Sequence, residues 1–434
     1  MPIPSFIFPA APPVSSSAIF ALDVFADKPV FQPESASFTR ATTATRTNSS
    51  GLIEEVSSGI ARVDWSLGGE PNTLLEPQRT NLVIYSEQFD NWSFIGATAN
   101  PNVSASPDGY QSADEIIGDG SSTNVRTYIG LSTSAGVNTF SVFLKSGNIN
   151  FAYIEFSGFV GITGTNAAYF DLANGTTPTS GANIEDYGNG WYRCSISATI
   201  DASDTNGNVS FRATPSTGVS SFPTAGDADG KYVLAWGAQV EVGAYATSYI
   251  PTTSTSVTRN ADSFTLSNVY TSGKITDAGG TWFVEIRGNV ALTRDANVPN
   301  FLFISNNSSG GGLGANVLAI GNVGFTNSRM YIFKLINGAY TQLAVTTTTT
   351  IKIAIKWNGS TADVFVNGVK VVTNTAFTTT NMEFLVGNGT DVPKYINSMA
   401  LYPTPLLDYQ CEMLTGLKFN TYNEMAGYYN YTIQ

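Results

Sequence analysis

The chain has 434 residues, 42% hydrophobic and only 12% charged, with a formal net charge of −12 and no histidine. The charged share is about half the ~25% usual in globular domains, so Ser, Thr, Asn and Gly must supply the polar surface, as they do in turn-rich β-sandwiches. The acidic balance argues against a basic face for nucleic acid, no apolar run reaches the ~18 residues of a spanning helix, and the missing histidine removes Ser-His-Asp and Cys-His triads.

Residues 1–33 contain Pro2, Pro4, Pro9, Pro12, Pro13, Pro29 and Pro33. Proline fixes φ and removes a donor, so this segment reads as an extended arm. Its apolar triplet, Phe6, Ile7 and Phe8, is the candidate anchor on another protein. The start carries apolar residues but no basic one, which does not fit an export signal. Residues 34–88 read as a module of short strands and turns. There Arg40, Arg62 and Arg79, with Glu54, Glu55, Asp64 and Glu76, are placed to form a polar network.

From residue 89 to 250 short strands alternate with turns. Phe140, Val142 and Leu144 alternate with Ser141, Phe143 and Lys145, the period-two signature of a half-buried strand. Asn174-Gly175 and Asn189-Gly190 mark turns, and Trp191–Ser197 and Tyr232–Val240 are further strands. Residues 251–264 are a Thr/Ser linker. A second sandwich is expected over 265–415: Ile351, Ile353, Ile355 and Trp357 alternate with Lys352, Ala354 and Lys356, and Asn367-Gly368 signals a hairpin. Asp408 to Leu417 reads as one short helix, and 416–434 as a Tyr-rich tail. Trp236, Trp282 and Trp357 fall on in-facing positions. The fold class is therefore all-β: two tandem antiparallel β-sandwich (jelly-roll) domains, expected to fold independently, behind an extended N-terminal anchoring region.

The chemistry is sparse. Cys194 and Cys411 are too far apart in sequence to suggest a disulfide framework. The acid pairs Asp114/Glu115, Glu155 with Asp171, and Glu185/Asp186 are the only glycosidase-like candidates. No cofactor is expected; a structural calcium would find oxygen ligands in the turns Asp201–Asn206 and Asp227–Asp229. Aromatics offer apolar bodies with polar tips that suit sugars, and Trp92, Tyr110, Tyr128, Tyr153, Tyr187, Trp191 and Tyr192 are the candidate ligand-binding residues.

Three segments carry a resemblance. The first is Trp236, Gly237, Ala238, Gln239, Glu241, Gly243, then Thr247-Ser248-Tyr249-Ile250-Pro251-Thr252, then Arg259, Ala261 and Asp262. The second is Phe38-Thr39-Arg40-Ala41, Arg62, Asp64, Leu74-Leu75-Glu76 and Arg79-Thr80-Asn81-Leu82. Together they resemble modules of tailed-phage virion surface proteins, head or tail fibres and spikes, with a carbohydrate-binding-module-like jelly roll. The third, Asn358-Gly359, Val366-Asn367-Gly368, Leu401-Tyr402, Leu406 and Glu412, resembles concanavalin-A/laminin-G-like sandwiches. The resemblance implies a non-enzymatic protein of the virion surface. It implies a homo-oligomer, a trimer in fibres of this kind, attached to capsid or tail proteins through its N-terminal region. It also implies host cell-surface polysaccharide as partner. A glycan-cleaving depolymerase and a purely structural decoration protein are the rival readings.

Overall fold

The computed structural model describes residues 20–25, 28–32, 36–68, 71–287, 302–306, 317–321, 330–336, 339–346, 350–389 and 394–416. Phe6, Ile7, Phe8 and the Tyr-rich tail lie outside the described residues. All pairing among the described strands is antiparallel, and the strands stack as two sandwiches.

The first sandwich packs a five-stranded sheet (Ala167–Asp171, Phe151–Ser157, Asn206–Thr214, Val125–Ser132, Ser93–Ile95) on a seven-stranded one. The second sheet is centred on Gly136–Ser146, Trp191–Ile200 and Tyr232–Val242. Alternate residues of both sheets fill the space between them. Ile154, Phe156, Phe170 and Phe211 meet Phe140, Val142, Leu144, Ile196 and Val240, all at most 2% exposed.

The expectation of half-buried strands fails on the seven-stranded sheet. Ser141 and Phe143, on its outer side, are as buried as Phe140 and Val142, because a layer of loops covers that side. Trp236 sits there too. Its strand changes phase at Gly237, whose φ of +62° admits few side chains and where a Cβ would lie 2.9 Å from the Phe143 ring. The bulge turns Trp236 away from the main core, and it packs on Phe143 and Tyr249 in a cluster of its own. Trp282 and Trp357 do enter the main core of the second sandwich.

In the second sandwich one sheet runs from Gly279–Arg287 through Thr350–Asn358, Thr361–Val366 and Val369–Ala376. Asn367 (φ 48°) and Gly368 (φ 83°) make the tight hairpin turn that the sequence signals. The helix Asp408–Thr415 lies on the outside of this sheet, where Cys411 packs on Ala354 and Phe365. The opposing sheet contains Leu302–Ser305, Phe384–Asn388 and Ser263–Ser267.

The N-terminal region is built into this second sandwich. Within the segment read as an extended arm, Phe20–Phe25 and Lys28–Gln32 form a hairpin, and Phe20–Phe25 pairs with Lys394–Tyr402. Pro29 falls on the edge strand of that sheet, where a missing donor is tolerated. Asn72–Leu75 pairs with the same Lys394–Tyr402 strand, and Ser37–Thr39 closes the other sheet beside Ser263–Ser267. Strands from before the jelly roll thus complete the sandwich that follows it.

Candidate functional site

The residues that carry the sequence motifs converge at one place, and it is structural. Asp262 accepts from Arg40 (2.9 Å) and Arg62 through its two oxygens, and from the Glu76 backbone N–H (2.9 Å). Glu76 in turn pairs with Arg62 and Arg259, each at 2.8 Å, and accepts from the Ser248 hydroxyl at 2.5 Å. Each of these charged side chains is at most 2% exposed. Burial raises the pKa of Glu76, but the Arg259 and Arg62 charges overcome it and hold the carboxyl at about 2. Arg40 and Arg259 are pushed down by burial, whereas the Asp262 and Glu76 carboxylates outweigh burial and raise Arg62.

Uncharged motif residues complete the joint. Asn81 donates to the Ala238 and Ile250 carbonyls (3.1 and 2.8 Å) and accepts from the Val83 and Val240 N–H groups (both 3.1 Å). Gln239 accepts from Ile250 N–H at 2.7 Å, and Glu241 from Thr247 N–H at 2.9 Å. Arg79 donates to the Tyr245 hydroxyl (3.2 Å), and its guanidinium lies over that ring, 5.4 Å from the ring centre. Glu54 pairs with Arg46, and Asp64 caps the turn at Ser66.

The open surface lies on the other side of the jelly roll. Pairing places Arg126, Arg212, Tyr153 and Tyr169 in one row across the outer face of the five-stranded sheet, with Tyr128, Ser210 and Glu155 in the next. Cross-strand neighbours on one face stand close enough to touch. Tyr153 and Tyr169 rings are 4.7 Å apart, the Arg212 guanidinium is 4.8 Å from the Tyr153 ring, and Arg126 is 5.2 Å from Tyr128. Glu155 ties both arginines and accepts from the Ser210 hydroxyl (2.8 Å). Burial and the adjacent Glu155 raise the Tyr153 phenol to about 12, so it stays a neutral donor. The Tyr153 and Tyr169 rings meet at a tilt of 57°, and the side chains form a ladder across the strands. What the tyrosines offer outward is ring edges and phenol hydroxyls, while the two guanidinium groups are held by Glu155, Ser157 and Asn124.

Of the seven candidate residues, Tyr128 and Tyr153 lie together on the open face, while Tyr187 and Trp191 meet in the buried cluster on the opposite side. Trp92 and Trp191 are core: Trp92 packs edge-on against Phe89 and Phe211 and donates to the Tyr85 carbonyl (3.2 Å), while Trp191 donates to the Ala105 carbonyl (3.0 Å). Tyr110 is a lone exposed turn residue, 74% accessible. Tyr192 packs on the main core beside Gly175, and Tyr187 packs on Phe143 on the opposite side of the sandwich. Tyr169, Arg126 and Arg212 were missed. The alternation Tyr153/Glu155 and Tyr169/Asp171 was visible, but only register shows that these strands lie together.

The acid candidates are occupied separately. Asp114 is buried and accepts from the Phe89 and Asn102 N–H groups (both 2.9 Å). Asp171 binds within its own turn, with Asn174. In the candidate calcium turns, Asp201 accepts from Ser203, Asp204 from Val160 and Asp227 from Thr224. Among the described residues no three His, Cys, Asp or Glu side chains gather as a metal site, and no described helix is long and apolar enough to cross a membrane.

No family model and no curated protein matches the chain. Among solved structures, the chain is similar to a receptor binding domain (12% identity, 36% of this chain and 39% of that one, TM-score 0.27). It is similar to domain 4 of an extracellular arabinanase from Geobacillus stearothermophilus, in complex with arabinotriose (14% identity, 36% and 73%, TM-score 0.27). It is also similar to the tandem CBM22 domain of Paenibacillus barcinonensis Xyn10C (9% identity, 75% and 98%, TM-score 0.23). The match to the first of these spans less than half of that protein's length. These likenesses are of β-sandwich domains, and the function is argued from the site.

Proposed function

We propose that this chain is a non-enzymatic adhesion protein of a tailed-phage virion surface, and that it holds host cell-surface polysaccharide on the open face of its jelly roll. The observation that carries the reading is the ladder of Tyr128, Tyr153, Tyr169, Arg126 and Arg212, which lies outside the buried joint and in which Tyr128, Tyr153, Tyr169 and Arg126 are partly exposed. Its phenol hydroxyls match a ligand rich in hydroxyls, and its ring edges match the apolar faces of sugars. The motif resemblance supports the virion setting, attachment through the N-terminal region and a homo-oligomer. Repetition of weak sites in such an oligomer raises avidity by roughly 10²–10⁴, so the face need not bind tightly as a single copy.

The test is retention of the full-length protein on a host-glycan array, with Tyr153→Ala and Arg126→Ala beside it, followed by chain-length analysis of the polysaccharide after incubation. Retention that falls in both variants, with intact chains, is the expected result. Shortened chains would establish the depolymerase reading instead. No retention of the wild-type oligomer would leave a structural decoration protein.

A further inference from the structure

A cleft of about 750 Å³ opens on the side of the jelly roll away from the ladder. Its walls come from the N-terminal stretch 45–68 with Leu74 and Glu76, the turn 185–189 with Arg193, residues 246–249 of the central motif, and Tyr395 of the second sandwich. Its volume lies within the ~300–1,000 Å³ of sites that enclose small ligands, and such sites favour the seams between structural units. The walls are preformed. Glu76 and Ser248, both in the lining, belong to the buried ion network, and Asp64 is fixed by the Thr47 N–H at 2.8 Å.

The lining has a definite chemistry. Trp65, Tyr187 and Tyr395, all partly exposed, supply aromatic surface, and the buried Tyr249 lies behind them. Of its carboxylates, Asp64 and Glu76 are 2% exposed and Glu76 is paired with Arg62 and Arg259, so the open negative charge is that of Glu185 and Asp186. Arg46 is taken up by Glu54. Arg193, 2% exposed, gives its terminal nitrogens to the Thr247 carbonyl (2.6 Å) and the Ser141 hydroxyl (3.0 Å), and its buried Nε has no partner. Glu185 and Asp186, both exposed, leave carboxylate oxygens at the rim. An anionic ligand would meet like charge. A ligand with hydroxyl donors and apolar ring faces would meet acceptors and aromatic surface together.

We infer that this cleft is a second saccharide site, distinct from the sheet face, which takes a short uncharged oligosaccharide. It stands apart from the reading of the sheet face, since the two share no residue.

The protein carries its own reporter. Of six tryptophans, Trp92, Trp191, Trp236, Trp282 and Trp357 are buried, and Trp65, in the cleft, is half-exposed. Full-length protein is titrated with maltotetraose, mannotetraose, cellotetraose and chitotetraose, with tetragalacturonate as the anionic control, and followed by tryptophan emission and calorimetry. At least one uncharged tetrasaccharide should shift emission saturably. Trp65→Phe should abolish the shift while calorimetry still detects binding. Ser50→Trp, at an exposed rim position remote from the core, should weaken binding about tenfold or more, and Tyr153→Ala should leave it unchanged. Tyr187 packs on Phe143, so Ser50→Trp rather than a Tyr187 variant is the deciding one. No saturable shift with any uncharged sugar, or tetragalacturonate binding as tightly, would overturn the inference. Loss with Tyr153→Ala but not with Ser50→Trp would assign the sugar to the sheet face and overturn it as well. Loss with Ser50→Trp alone keeps the cleft, even where the sheet face binds nothing.

Discussion

The two outer faces of the jelly roll begin from the same local pattern and end in opposite states. On the seven-stranded sheet, the outward polar residues Ser141, Arg193, Gln239 and Glu241 are at most 2% exposed. On the five-stranded sheet, Arg126, Tyr128, Tyr153 and Tyr169 remain partly exposed, although Ser210 and Arg212 between them are buried. The difference is what lies on top. The first face is covered by residues 243–252 and the N-terminal stretch, and every polar group that this cover buries needs a partner. The motif residues supply those partners: Asn81 to two carbonyls and two N–H groups, Glu76 and Asp262 to three arginines. A highly specific sequence motif therefore marks the covered face, and the face free to bind carries no motif.

Removing the cover's far attachment should have the largest effect. A fragment 263–434 lacks Phe20–Phe25, Ser37–Thr39 and Asn72–Leu75, which pair in its two sheets. It should show no cooperative melt by circular dichroism, although the full chain does. A sharp transition in the fragment would mean that those strands are dispensable and the comparison overdrawn.

Within the joint, Asp262→Ala leaves Arg40 and Arg62 buried beside a missing charge. Stripping one partner from a buried ion pair costs about 3–5 kcal/mol, readable as a lowered urea midpoint. A loss below about 1 kcal/mol would place Asp262 among ordinary surface pairs and dissolve the contrast between the faces.

The open face should behave the other way. Arg126→Ala breaks a partly exposed pair with Glu155 and should shift stability by no more than about 1 kcal/mol. The same variant should lower glycan retention. A stability loss as large as that of Asp262→Ala would make the ladder a structural element.

The covered face should also show itself in pH. The folded pKa of Glu76, about 2, lies below its ordinary 4.5. A carboxyl with a depressed folded pKa adds stability that is fully present above the unfolded value and is lost as pH falls through the folded one. Its contribution should thus be complete above about pH 4.5 and fade toward pH 2, and Glu76→Gln should flatten the stability profile across that window. An unchanged profile would show that the network does not hold the charge.

Much of the fold was legible. The alternation of Ile351, Ile353, Ile355 and Trp357, the Asn367-Gly368 turn and the helix from Asp408 are local, and local steric rules decide them. So was a polar network around Arg40, Arg62 and Glu76, though its key partner, Asp262, lies 200 residues from Arg62 in sequence. The candidate site was legible only in part. Tyr128 and Tyr153 stand out in the sequence, but only strand pairing joins Tyr169 and Arg212 to them, and Trp92 and Trp191 serve core packing instead.

The sequence by itself determined the all-β class, the strand periods and most turns, because side-chain alternation and backbone sterics act over a few residues. Only the tertiary structure decided which face each alternating residue would show to solvent. That depends on strand register, on a phase change at Gly237 and on segments that return from far along the chain, as Phe20–Phe25 does to pair beside Lys394–Tyr402. The free energy of covering a sheet face comes from the matched partners on both sides of the contact, and a linear sequence does not say which partners meet.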